Sequence, residues 1–140
     1  MREYQLDVEK SKDVFGKCER HIRLKHCYNN VFEVVTDYMT TFRSGEWKVA
    51  YGYVSVMANV FCRHCFVVDQ NGKAIDPTIF TNTDPDFQRQ YFAMKIFDDV
   101  DVYLDAIESE DYMPALGKYL RDDEKQAHEW ANEKGYVLIA

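Results

Sequence analysis

Between Cys27 and Gly45 the apolar positions fall along one side of a helix. Val31, Val35, Tyr38 and Phe42 recur at helical spacing, and Phe32, Val34 and Met39 widen the stripe. Gly45 supplies a stop. Asn29 or Asn30 can cap the start, which places Cys27 at the helix N-terminus. The period then changes from 3.6 to 2. In WKVAYGYVSVM, Trp47, Val49, Tyr51 and Tyr53 alternate with other residues, as in a strand. VFCRHCFVVD and KAIDPTIF read as two more strands joined by QNG, a hairpin signal, and RQYFAMKIF as a fourth. The charged stretch 8–24, carrying Val14, Phe15, Ile22 and Leu24, predicts an earlier helix. DDVDVYLDAIES, MPALGKYL and DDEKQAHEWANEKG predict helices after the sheet, and YVLIA a last strand. The expected class is α+β: N-terminal helices packed on an antiparallel sheet, with C-terminal helices, in a single domain spanning 1–140.

The loop length of the hairpin decides which side chains share a face. With a two-residue Asn71-Gly72 loop, Val67 pairs with Asp76, and Asp76 faces away from His64. With a three-residue QNG loop, Asp69 pairs with Lys73 and Phe66 with Asp76. Asp76 then lies on the face of Phe66 and His64, diagonal to the histidine. The longer loop needs a left-handed residue at its end, and Gly72 stands there.

Composition narrows the setting. The 140 residues are 46% hydrophobic and 15% aromatic, enough for a buried core. A net charge of −7 argues against a nucleic-acid partner, which would want a basic face. No apolar run reaches the length of a membrane span, so no membrane partner is expected. The charged N-terminus lacks a signal-like apolar stretch. The expected location is the cytoplasm, or a host cytoplasm if the chain is phage-encoded, where four cysteines stay reduced.

Two chemistries compete for those cysteines. Cys18 and His21 stand in C-x-x-H spacing and Cys62 and Cys65 in C-x-x-C spacing, a legitimate zinc pattern. But strand alternation puts Cys62 and His64 on one face and Cys65 on the other, so a strand cannot aim both sulfurs at one ion. The other chemistry is nucleophilic. Amides at a helix N-terminus favour a thiolate at Cys27 and can stabilise an oxyanion. His64 is the candidate base and Asp76 the group that orients it, with Asp69 as an alternative at the turn. His21, His26 and His128 read as surface residues. Gly52, unusual inside a strand, marks a close approach by backbone or substrate.

A cysteine opening a helix, a histidine entering a strand and DPT ending the next strand resemble the transglutaminase-like and papain-like cysteine enzyme superfamily. The matching pieces are CYNNVFEVV, WKVAYGYV and HCFVVDQNGKAIDPT, within residues 25–80. They are similar in particular to small bacterial and phage proteins of this type. The resemblance implies Cys27 as nucleophile, His64 as general base and acid, and Asp76 as orienter. It implies attack on an amide, peptide or ester carbonyl, with hydrolysis or acyl transfer through an acyl-enzyme. No cofactor is called for, and the expected partner is a protein or peptide substrate. Papain-like relatives carry an oxyanion glutamine ahead of the cysteine; here the nearest upstream glutamine is Gln5, far from Cys27 in sequence. Two further readings stay open: a non-catalytic protein-binding module on the same fold, and a zinc-stabilised interaction domain.

Overall fold

A computed structural model describes residues 1–140. The chain opens with a strand, β1 (Arg2–Leu6), and the Asp7 carboxylate then caps helix α1 (Val8–Cys18) by accepting from the Lys10 amide at 2.9 Å. Helix α2 (Cys27–Asp37) follows, then the short α3 (Met39–Arg43). Strands β2 (Trp47–Met57), β3 (Val60–Asp69) and β4 (Lys73–Ile75) come next, and a 3-10 turn covers Pro77–Thr81. The chain ends with β5 (Tyr91–Phe97), α4 (Val100–Ser109), α5 (Arg121–Lys134) and β6 (Val137–Ile139).

Five strands close into a ring. β2 pairs with β3 and β5, β5 with β1, β1 with β4, and β4 with β3. β6 adds in parallel to the start of β3. Inside the ring lie Tyr4, Ala50, Val54, Phe66, Val68, Ala74, Tyr91 and Ala93. Three of these are alanines, and a ring this narrow has room only for a mixture of small and large side chains. The outer face of β2 and β3, through Val49, Tyr51, Cys65 and Val67, packs under Val14 of α1 and Val31, Val34 and Val35 of α2. A third cluster joins Tyr53, Phe61 and Phe92 to Ala127 of α5.

The α+β class stands, with corrections in detail. The sheet is mixed, because β1–β4 and β3–β6 run parallel. A strand precedes the helices: REYQL buries only Tyr4 deeply, and its place is set by β4 and β5, which come much later in the chain. The first helix ends at Cys18 rather than running to 24. The helix from Cys27 breaks at Tyr38 into two. MPALGKYL forms turns, because Pro114 and Gly117 disfavour a helix interior and Leu116 adopts φ 53°. KAIDPTIF is strand only to Ile75, where Pro77 opens the 3-10 turn.

Candidate active site

The hairpin adopts the three-residue register: Val67 pairs with Ile75 and Val68 with Ala74. Gly72 takes φ 74°, in the left-handed region. The Asp69 carboxylate accepts from the Asn71 and Lys73 amides at 2.8 and 3.0 Å, so it holds the turn and is not available to orient a base. His64 and Asp76 meet on the inner face of the ring, with His64 Nε2 2.9 Å from Asp76 Oδ2. Both are buried.

Two further groups fix Asp76, and one of its oxygens is left over. Its amide donates to the Ser11 hydroxyl of α1 at 2.9 Å. Its Oδ2 also accepts from the Tyr91 hydroxyl at 2.8 Å. Its Oδ1 is buried with no hydrogen-bond partner. Tyr91 had no local signal in the sequence: it is one aromatic among ten tyrosines at the start of a strand.

Cys27 opens α2, as expected. The N-cap position belongs to His26, which makes no side-chain cap. The first-turn amides therefore lack the usual side-chain acceptor and remain available to an anion. Asn30 is not a cap, in contrast to the expectation from sequence. It is fully buried, and its side chain accepts from the Arg23 amide and donates to the Arg23 carbonyl and to Thr78 Oγ1, at 2.8–2.9 Å. A side-chain amide with three partners in the fold outcompetes a local capping role. Asn30 thus ties the loop before Cys27 to the turn that follows Asp76.

The third element, β3, leaves a gap. β2 covers one edge of β3 along its length. The other edge is taken by β6 at Val60–Cys62 and by β4 at Val67–Val68, so Arg63–Phe66 has no strand partner there. Helix α2 packs against β3, and Cys27 at its start acts on the His64 ring by charge and hydrogen bonding. Burial opposes the charge on His64. The Asp76 carboxylate outweighs it by charge and hydrogen bond, Cys27 adds to the push, and the imidazole is lifted to about 10. Because Nε2 is engaged by Asp76, Nδ1 is the ring nitrogen left for the thiol.

The other histidines, His21, His26 and His128, are exposed. Gln5 accepts from Lys73 Nζ at 3.2 Å on the outside of the β1–β4 pair. Tyr28, next to Cys27, stacks on Tyr51 and accepts from Arg63 Nη1 at 2.8 Å. The zinc alternative is not supported. Cys65 is fully buried on the outer face toward α2, Cys62 donates toward the Ala140 carbonyl, and Cys18 ends α1 beside Asp37. No three His, Cys, Asp or Glu side chains converge as metal ligands, because β3 sends Cys62 and Cys65 to opposite sides. Gly52 meets the backbone of β5 rather than open space, so its close approach is structural. No helix is long and apolar enough to cross a membrane. The chain matches no protein-family model, no curated protein and no solved structure.

Proposed function

We propose that the chain is a cysteine hydrolase or acyltransferase built on a papain-like, transglutaminase-like core. The observation that carries this reading is the His64 Nε2–Asp76 Oδ2 contact of 2.9 Å, with Cys27 at an uncapped helix N-terminus beside the same ring. A buried carboxylate that holds a histidine protonated next to a thiol favours a thiolate–imidazolium pair.

The chemistry follows from that pair. The Cys27 sulfur attacks an amide or ester carbonyl carbon, and the carbonyl oxygen takes the negative charge. Amides of the first turn of α2 face that oxygen. Collapse breaks the carbonyl bond to nitrogen or oxygen, and His64 Nδ1 gives its proton to the leaving group. Water or an amine then attacks the thioester carbon, His64 takes the attacking group's proton, and the C–S bond breaks to release the acyl product and return the Cys27 sulfur with the electron pair. A protein or peptide substrate in a cytoplasmic setting suits four free thiols.

A second reading, a non-catalytic binding module on this core, is favoured by one observation: Cys27 and His64 are each only 8% exposed. Alkylation at pH 6 separates the two. A free peptide thiol is then mostly protonated, so a Cys27 paired with imidazolium should react about tenfold faster or more. Reaction should fall in His64→Ala. A Cys27 no faster than a peptide cysteine removes the enzyme reading and leaves the binding one.

A further inference from the structure

Tyr91 is fully buried at the start of β5, inside the ring of strands. Its backbone is paired on both sides, with Tyr4 of β1 and Val54 of β2. Its ring packs edge-on against Phe66 at 5.1 Å and lies 6.2 Å from the His64 ring. A side chain held at that many points has little freedom to move. Its hydroxyl reaches Asp76 Oδ2, the same oxygen that holds His64 Nε2.

The Asp76 carboxylate needs such a hold. Its second oxygen, Oδ1, has no hydrogen-bond partner, so nothing on that side stops the group from turning. The Ser11 hydroxyl fixes the Asp76 backbone amide but not the carboxylate. Only Tyr91 and His64 fix the direction of the carboxylate, and His64 is the group being oriented.

We infer that Tyr91 is a positioning residue of the site: its hydroxyl locks the Asp76 carboxylate so that Oδ2 faces His64 Nε2 and the other ring nitrogen is left toward Cys27. This deepens the triad reading and rests on it. Burial first, and then the Asp76 charge, push the Tyr91 phenol far up, so it stays a donor wherever the protein is folded. Its proton has one acceptor in reach, the carboxylate.

Tyr91→Phe removes a single oxygen and keeps the ring against Phe66. Proton NMR of the His64 Nε2–H is the direct readout. In the wild type this proton is held by a charge-assisted hydrogen bond and exchanges slowly. In Tyr91→Phe its exchange should speed up by about tenfold, the fold-change expected of one such bond. Cys27 alkylation at pH 7 should slow by a similar factor, with a changed pH profile. A purely structural Tyr91 would lower the unfolding temperature and leave the His64 signal where it was, and that result overturns the proposal. If the variant does not fold, the wild type still decides. A slowly exchanging Tyr91 hydroxyl proton with a cross-peak to the His64 ring supports the lock, and its absence refutes it. The NMR readout does not depend on activity. An inert Cys27 in the wild type would sink the enzyme reading, whereas the hold of Tyr91 on Asp76 would still stand or fall by the His64 proton.

Discussion

Gly52 stands directly opposite His64 in the β2–β3 ladder, and on its other side the backbone of β5 comes so close that a Cβ would overlap the Phe92 carbonyl oxygen. The register between β2 and β5 shifts at this point, between Tyr51 and Gly52. The missing side chain therefore sets how tightly the ring closes behind the histidine.

Gly52→Ala should destabilise the fold by about 3 kcal/mol or more, because backbone must move to admit the methyl group and cannot do so by a rotamer change. Urea unfolding measures this. A change under about 1 kcal/mol would mean that the β2–β5 contact is looser than the structure has it. A control at Gly16, where nothing lies within 4 Å of the added Cβ, should tolerate alanine well.

How much of the fold and the site is legible in the sequence follows the range of each interaction. The His64–Asp76 pair can be read because its two strands are joined by three residues, and glycine at the left-handed position selects the loop. The helix start at Cys27 can be read from the apolar period. Asn30, Tyr91 and β1 cannot. Each takes its role from a partner far along the chain: Thr78 for Asn30, Asp76 for Tyr91, and Lys73 and Ala74 for the end of β1. Closure of the ring is of the same kind. Alternation says which residues share a face but not which strands meet.

Asn30→Ala should act on stability and on the site together. The substitution removes hydrogen bonds to the Arg23 amide, the Arg23 carbonyl and Thr78 Oγ1 in a fully buried position. The expected loss is about 3 kcal/mol, near 1 kcal/mol per bond plus unpaired groups left behind. The loop before Cys27 would lose its tie to the turn after Asp76, so Cys27 alkylation should also slow. Calorimetry and a single-turnover labelling assay on the same sample test both halves. Unchanged labelling at reduced stability would confine Asn30 to a structural role.

The four thiols should separate by position when the folded protein is alkylated at pH 7.5 and mapped by mass spectrometry. Cys65 is enclosed, and burial pushes its thiol well up. Cys18 is pushed up to about 12, chiefly by burial and then by Asp37. Both should label only after unfolding, because the thiolate is the reactive form. Cys62 is half-buried and should label slowly, and Cys27 first. Labelling of Cys18 ahead of Cys27 would count against the site.

The last expectation concerns stability against pH, and its sign depends on counting protons. An unfolded His64 would titrate near its ordinary value of about 6.5. In the fold, burial lowers it, but Asp76 more than compensates and the imidazole rises to about 10. A group raised in this way contributes stability that is complete below about 6.5 and is lost as pH climbs through the folded value. Cys27→Ala takes the sulfur out of the count and leaves Asp76 in place. Its stability should then fall by about 1.4 kcal/mol per pH unit between pH 7 and 8.5, the slope for one proton. Adding Asp76→Asn removes the charge that holds the proton, and the slope should vanish. Urea unfolding at several pH values gives both slopes. A flat Cys27→Ala profile would mean a neutral His64.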